Sequence, residues 1–193
     1  MKKKIGITGG IASGKSLVAR ILSTFGYPVF YSDTVAKELV NTDPFLKSQL
    51  IKLLGTDAYL ENKLNRKFVA DKVFADQNLL TELNALIHPA VRKKFDEWCS
   101  EQQSDIVFNE AAILFETDSY KRMDATILVV APEETRISRA IQRDDASRED
   151  ILNRMNKQWP DDKKISLADY VVLNDENHPV IKQLEKIISE LVH

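Results

Sequence analysis

The 193-residue sequence has little of several features that would each assign it to a particular protein class. Its one cysteine, Cys99, cannot form a disulfide within the chain, and this sparse usage fits a reducing compartment. The formal net charge of −2 provides no global basic field for nucleic acid or an anionic membrane. No apolar run approaches the ~20 residues of a membrane span. We therefore expect a cytoplasmic globular protein with neither a nucleic-acid nor a membrane partner.

Five short apolar segments are predicted to be β-strands, and helical patterns separate them. The runs around Val107 and Val129 are unbroken and rich in β-branched residues, as in strands buried on both faces. Strands that alternate with helices predict a parallel sheet covered on both sides, which is a three-layer α/β fold. The predicted strands are Lys4 to Thr8, Pro28 to Tyr31, Asp105 to Asn109, Thr126 to Ala131, and Asp169 to Leu173.

Two gaps between the strands are too long for simple crossovers. The first has helical patterns throughout, including two separate helices at Leu79 to Ile87 and Pro89 to Gln102. The second is strongly charged, and Ser147 begins a predicted helix within it as part of a capping box. We therefore expect a core of residues 1–33, 105–135 and 168–193, a helical insertion of residues 34–104, and a helical lid of residues 136–167.

A glycine-rich segment links the first strand to the first predicted helix. It matches the P-loop pattern and reads Gly9-Gly10-Ile11-Ala12-Ser13-Gly14-Lys15-Ser16. Glycines let several main-chain N–H groups point inward at a phosphate, and the helix start adds its positive dipole end. Lys15 can reach the β- and γ-phosphates of ATP, and the Ser16 hydroxyl can bind Mg²⁺. The alternative is an ordinary glycine-rich turn, which the position between strand and helix disfavours.

Two large classes of P-loop protein lack support in this sequence. The Asn-Lys-x-Asp that reads guanine in GTPases is absent, since the nearest text, at Asn174, lacks the lysine. The Leu-Ser-Gly-Gly signature of ABC-type ATPases is also absent. A small kinase remains, and such an enzyme needs an acceptor site, a base near the acceptor hydroxyl, and cations around the transferred phosphoryl group.

Polar residues just past the predicted strands are candidates for those roles, because ligands bind beyond the carboxyl ends of parallel strands. Asp33 follows the second strand and is the candidate base, although it could also be the N-cap of a helix from Thr34 to Val40. Glu110 follows the third strand, where it could orient the acceptor or Mg²⁺-bound water, or form a structural ion pair. Asn174 follows the fifth.

Three arginines in the second gap share one helix face, because Arg136, Arg139 and Arg143 are spaced three and four residues apart. Like charges so placed repel one another unless an anion or acidic partner faces them. The alternatives are a solvated helix face and a lid whose arginines close over ATP. We favour the lid for Arg139 and Arg143 more than for Arg136. His88 precedes Pro89, and by itself reads as a loop or cap residue.

Taken together, these residues resemble the dephospho-CoA kinase family over nearly the whole chain. The resemblance is carried by Ile7 to Ser16, Gly26-Tyr27-Pro28-Val29 leading to Ser32-Asp33, Leu86-Ile87-His88-Pro89, Ile113-Leu114-Phe115-Glu116, Gln142-Arg143-Asp144-Asp145, and Ala168 to Asn174. The P-loop alone is unspecific, but its combination with the other motifs is highly specific. The resemblance implies a P-loop NTPase fold and ATP-dependent phosphorylation of the ribose 3′-hydroxyl of dephospho-CoA, the last step of coenzyme A biosynthesis.

The resemblance also implies roles for individual residues. Lys15, Asp33 and Arg143 would be catalytic, and Asp33, His88 and Glu110 would bind the acceptor, cradled by the helical insertion. Asn174 would lie near the adenine of ATP, with Mg²⁺ on Ser16. The implied ATP-binding residues are Gly9, Gly10, Ala12, Ser13, Gly14, Lys15, Ser16, Leu17, Arg139, Arg143 and Asn174.

The sequence departs from the family pattern at Ala12, at Leu17 and in the segment Glu110-Ala111-Ala112-Ile113-Leu114, where the family usually has Asp-x-Pro-Leu-Leu. Ala12 stands where the family usually has glycine, which is tolerable if its φ is negative. Leu17 replaces a threonine, and Ala112 replaces a proline on the acceptor side. Two other functions stay open: a nucleoside or nucleotide monophosphate kinase, and an ATP-binding regulatory module without turnover. The sequence leaves open whether the chain forms an oligomer.

Overall fold

A computed structural model describes residues 2–192 and divides the chain into two compact units. One unit, the sheet unit, comprises the chain up to Tyr31 and the chain from Gln102 onward. The other, the helical unit, comprises Ser32–Glu101. Among residues 2–192, no helix is long and apolar enough to span a bilayer.

The strands lie in both units. They are β1 (Lys3–Gly9), β2 (Val29–Tyr31), β3 (Tyr59–Leu60), β4 (Lys63–Leu64), β5 (Ile106–Glu110), β6 (Ala125–Val130) and β7 (Tyr170–Leu173). Five of them form one parallel sheet in the order β2-β5-β1-β6-β7, which confirms the predicted α/β class and all five predicted strands. The other two pair as a short antiparallel hairpin in the helical unit.

The α-helices also lie in both units. They are α1 (Lys15–Thr24), α2 (Ser32–Thr42), α3 (Pro44–Leu54), α4 (Arg66–Ala75), α5 (Gln77–Glu101), α6 (Glu133–Asp144), α7 (Arg148–Met155), α8 (Asp161–Ile165) and α9 (Val180–Val192). Side chains cap several of them. Ser147 accepts a hydrogen bond from the Asp150 N–H at the start of α7, as the capping-box pattern predicts. Asp43 and Asn65 cap α3 and α4.

Each unit has its own apolar core. In the sheet unit, residues of β1, β5 and β6 pack with α1 and α9, and Ile5, Val18, Phe108, Val129 and Leu184 are buried there. A smaller cluster of Ile137, Ala140 and Ile151 joins α6 to α7. The helical unit packs α2, α3 and α4 around α5. Because the sheet strands are parallel, the ends of β1, β5, β6 and β7 present the segments after Gly9, Glu110, Val130 and Leu173 at one edge.

Two expectations about helices are wrong. Pro89 does not begin a second helix but lies inside the 25-residue α5. Proline removes one hydrogen bond and disfavours helix just before it, yet packing of α5 against three other helices outweighs that local preference. Asp33 is not the N-cap of a helix at Thr34, because α2 already begins at Ser32 and Asp33 lies in its first turn. The short α8 was not predicted.

Candidate active site

The P-loop runs from the end of β1 to the start of α1, as the pattern predicts. Gly14 is the N-cap of α1 with φ +103°, a left-handed conformation that glycine adopts without a steric penalty. The N–H groups of Leu17 and Val18 donate to the Gly14 carbonyl and begin the helix. Within the loop, the Ser13 N–H donates to the Gly10 carbonyl over 3.1 Å. The loop is therefore a closed turn at the positive end of a helix dipole.

The ammonium group of Lys15 lies over this turn. Its Nζ donates to the carbonyl oxygens of Gly9 over 2.9 Å and of Gly10 over 3.1 Å. Two main-chain acceptors therefore hold the charge at the loop, where an anion bound by the loop would meet it.

Asn174 lies against the other side of the loop, one residue past β7. Its Nδ2 donates to the Ser13 carbonyl over 2.7 Å, and the residue is buried. A Cβ on Gly14 would lie 2.0 Å from this Nδ2, so only glycine fits there without displacing Asn174. The structure therefore brings together the residues past the first and fifth strands.

Arg136 also contacts the loop, a contact that the sequence did not indicate. It is buried, and a Cβ on Gly10 would lie 1.9 Å from its Nη1, so the guanidinium packs directly on Gly10. Its Nη2 lies 3.5 Å from Oδ2 of Asp161. Its buried Nε has no hydrogen-bond partner within residues 2–192. Its spacing of three residues from Arg139 and seven from Arg143 places it on a charged helix face and gives no sign of burial.

Ala12 does not meet the condition under which its methyl group would be tolerated. Its φ is +57°, in the left-handed region, where a Cβ approaches the neighbouring main chain. Alanine there is strained by about 1–2 kcal/mol relative to the right-handed conformation. Ala12 and Ile11 pack partly buried against the cluster of Ile137, Ala140 and Ile151, and this packing holds the loop in shape.

The two remaining arginines of α6 differ in their surroundings. Arg143 is exposed and bound to the adjacent carboxylate, with Nε 2.7 Å from Asp144 Oδ1 and Nη2 3.1 Å from Oδ2. Arg154 of α7 donates to the same carboxylate over 2.6 Å. Hydrogen bonds from these two guanidinium groups hold the pKa of Asp144 far below its usual range. Arg139 is half-buried, and its buried Nη1 has no hydrogen-bond partner in the described part of the chain.

The residues considered for metal and acceptor binding lie in different environments. Ser16 and Leu17 are exposed in the first turn of α1. Glu110 is the buried last residue of β5, paired in register with Ile7 of β1 and Tyr31 of β2. The described residues contain no group of three or more His, Cys, Asp or Glu side chains arranged to hold a metal ion.

Two predicted site residues belong to the helical unit. Asp33 is exposed and follows the last residue of β2 by two positions in the chain. His88 lies in α5, next to Pro89, and burial lowers the pKa of its imidazole below the ordinary value, with a further lowering by the charge of Arg92. His88 is therefore neutral over a wider pH range than a free histidine.

Two further contacts, one of them to the P-loop, were not anticipated. Gln158 bridges the loop to Ala112, and Lys164 is fully buried with its Nζ 3.1 Å from Oε1 of Glu116. A single sequence offers little sign of either. Lys164 follows another lysine in a polar segment, and Gln158 is an ordinary polar residue after a helix.

Comparison with known proteins shows what this chain is similar to. The sequence model of the dephospho-CoA kinase family matches residues 3–179. The dephospho-CoA kinase of Bacteroides fragilis is 40% identical over 192 residues, which cover 99% of this chain and 94% of that protein. The dephospho-CoA kinase of Porphyromonas gingivalis is 43% identical, covering 96% and 92%. A crystal structure of a Thermus thermophilus protein superposes with a TM-score of 0.89 at 35% identity, covering 98% of both chains.

Proposed function

The chain belongs to the dephospho-CoA kinase family, and from this premise we propose that it transfers the γ-phosphoryl group of ATP to dephospho-CoA, completing coenzyme A biosynthesis. The acceptor atom is the ribose 3′-hydroxyl, and the products are coenzyme A and ADP. The observation that carries the proposal is the closed P-loop with the Lys15 ammonium held at its carbonyls. This arrangement fits the triphosphate of a nucleotide.

The ATP site is built from the loop and the segments that contact it. Main-chain N–H groups and the start of α1 hold the phosphates, and Lys15 neutralises charge that develops on the transferred group. Asn174, fixed to the Ser13 carbonyl, lines the nucleotide side. The full proposed set is Gly9, Gly10, Ala12, Ser13, Gly14, Lys15, Ser16, Leu17, Arg139, Arg143 and Asn174.

Magnesium is the proposed metal, bound together with ATP. The Ser16 hydroxyl is exposed beside Lys15, and hydroxyl oxygen is a ligand that Mg²⁺ accepts. The ion would supply positive charge to the β- and γ-phosphates during transfer.

Asp33 is the proposed base, and residues 34–104 are the proposed acceptor-binding domain. Asp33 is an exposed carboxylate two residues past the end of β2, so it belongs to the segment that leaves the carboxyl end of that strand. It would accept the proton of the attacking hydroxyl as the bond to phosphorus forms. His88 and Glu110 are proposed acceptor-binding residues.

Residues 136–167 are the proposed lid, which leaves residues 1–33, 105–135 and 168–193 as the nucleotide-binding core. Arg143 is exposed on α6 and binds the Asp144 carboxylate. In the proposed closed lid, its guanidinium would bind an ATP phosphate in place of that carboxylate. The half-buried Arg139 already has a nitrogen without a partner among residues 2–192. We also infer that the protein works in the cytoplasm, where its two small-molecule substrates would meet it.

One assay separates this function from its alternatives. ADP release is measured with dephospho-CoA, with AMP and with no acceptor, using Lys15→Met as a control for contaminating kinases. We expect rapid ADP release with dephospho-CoA only. Release with AMP but not dephospho-CoA would make the protein a nucleotide kinase. Tight ATP binding without release in any of the three would make it a binding module.

A further inference from the structure

Gln158 joins two loops at the edge of the sheet. It lies between α7 and α8, and its side-chain amide makes one hydrogen bond with each end. The Ile11 N–H donates to its Oε1 over 2.9 Å, and its Nε2 donates to the Ala112 carbonyl over 3.2 Å. A side-chain amide offers an acceptor and a donor on two adjacent atoms, so glutamine matches both partners.

The Ile11 end of this bridge lies in the P-loop, directly before the left-handed Ala12. A strained residue keeps its conformation only where its surroundings hold it. The hydrogen bond from the Ile11 N–H fixes the Gly10–Ile11 peptide group, which lies one peptide group before the one that enters Ala12. The bridge therefore acts next to the strained residue of the loop.

The Ala112 end lies two residues past the buried Glu110 that ends β5. The Ala112 carbonyl is also 3.5 Å from the Thr8 hydroxyl of β1. Gln158 thus connects the loop after β1, which is the P-loop, with the loop after β5, which directly follows the proposed acceptor-binding residue Glu110.

The segment that carries Gln158 is itself anchored. The Gln158 N–H donates to the Met155 carbonyl over 3.0 Å, and the Trp159 N–H donates to Glu116 Oε1 over 3.1 Å. The same carboxylate pairs with the buried Lys164 of α8. The bridge is therefore held from both sides, and a fixed amide can position its partners more firmly than a mobile one.

We propose that Gln158 is a positioning residue for the P-loop, which sets the affinity for ATP by fixing the Ile11 peptide group relative to the loop after β5. This rests on the proposed function in so far as ATP is the nucleotide bound. Gln158 does not touch the nucleotide in this proposal. Its effect passes through the main chain of Ile11 and Ala12.

The test compares three variants of the full chain. Gln158→Leu removes both hydrogen bonds at similar volume. Gln158→Glu keeps an acceptor for the Ile11 N–H and removes the donor to Ala112. Gln103→Leu is the matched control, because Gln103 is exposed in the loop before β5 and far from the P-loop in the chain. Two quantities are measured: amide hydrogen exchange resolved by NMR, and the Kd for ATP with no acceptor present.

For Gln158→Leu we expect exchange at the Ile11 amide and its loop neighbours to accelerate, and the Kd for ATP to rise by about tenfold. Amides of β1, β5 and β6 should keep their exchange rates. Gln158→Glu should fall between wild type and Gln158→Leu, and it is the variant to measure if the leucine form does not fold. Gln103→Leu should match wild type in both readouts.

Three results would overturn the proposal. One is unchanged exchange at Ile11 in Gln158→Leu. Another is acceleration spread evenly over the sheet, which would make Gln158 a residue of general stability. The third is a Kd for ATP equal to that of Gln103→Leu. Neither readout uses the acceptor, so a wild-type protein that fails to phosphorylate dephospho-CoA would contradict the proposed substrate and leave this test intact.

Discussion

The amide nitrogen of Asn174 donates to the Ser13 carbonyl over 2.7 Å, and it stands where a side chain on Gly14 would have to go. The segment after β7 thus limits which residue can stand at the N-cap of α1. Local sequence preference and a distant contact both require glycine at this position.

Gly14→Ala should weaken ATP binding by at least tenfold, because the Cβ would displace Asn174 and distort the loop. It should also destabilise the fold by more than the about 1–2 kcal/mol of a left-handed alanine. Gly26→Ala is the matched control, since its φ is +91° and its Cβ would meet no atom within 4 Å. Denaturant unfolding and ATP titration measure both effects. Equal losses of stability and equal ATP affinities in the two variants would refute the role of Asn174.

Asp33→Asn should lower kcat by about 10²-fold or more while the Kd for ATP stays within about twofold of wild type. The amide keeps the shape of the side chain but cannot accept the proton of the acceptor hydroxyl. Asp71→Asn, an exposed substitution on α4 of the same unit, is the control and should leave kcat unchanged. A near-normal kcat in Asp33→Asn would reduce Asp33 to a first-turn residue of α2.

Arg143→Ala should reduce kcat/KM for ATP by about ten- to a hundredfold, the range expected for a lost charged hydrogen bond to phosphate. Arg148→Ala is the matched control, because Arg148 is also exposed and bound to a carboxylate. Its Nη1 lies 2.8 Å from Oε2 of Glu134, and its Nη2 lies 2.6 Å from Oε1. The steady-state kinetics of the two variants are compared. Similar losses in both would attribute the effect to the charge of this region and not to Arg143.

Lys164→Met should destabilise the protein by about 3–5 kcal/mol, because it leaves the Glu116 carboxylate largely buried without its partner. The double variant Glu116→Gln, Lys164→Met removes both charges and should recover most of that loss, while the glutamine still accepts from the Trp159 N–H. The free energies of unfolding of the single and the double variant, measured by denaturant titration, test this prediction. A double variant no more stable than Lys164→Met would show that the pair is not the source of the effect.

His88 should make the protein less stable as the pH falls. Since its folded-state pKa lies below the ordinary 6.5, the unfolded chain binds more protons in the window beneath that value, and protonation there favours unfolding. The free energy of unfolding should therefore be lower at about pH 5.5 than at about pH 7.5, and His88→Gln should flatten this dependence. An NMR titration should give a pKa below 6.5 that rises in Arg92→Gln. A pKa at or above 6.5 in wild type would contradict both causes.

The fold was predictable where local pattern and tertiary packing agree. The buried strands β5 and β6 are continuous apolar runs, and Ser147 caps α7 as its own motif indicates. Prediction failed where packing outweighs local preference. Pro89 argues for a helix boundary, yet the apolar contacts of α5 continue across it. The hairpin of β3 and β4 was not predicted, because strands of two residues are too short to show the alternation of apolar and polar residues that indicates a strand.

The candidate site was predictable in its motif but not in its support. The P-loop is recognisable because its phosphate chemistry requires glycines and a lysine at fixed spacing. The contacts of Arg136 and Gln158 depend on chain segments that meet only in the fold, and no local spacing encodes them. The roles of Asp33, His88 and Glu110 stay predictions.

The left-handed Ala12 means that the curvature of the phosphate-binding turn is imposed from outside. Alanine by itself disfavours this conformation, and Ala12 packs against Ile137, Ala140 and Ile151 of α6 and α7, which helps to keep it there. Loss of apolar volume at Ile137, Ala140 or Ile151, far along the chain, would therefore weaken nucleotide binding although none of these side chains belongs to the proposed ATP site.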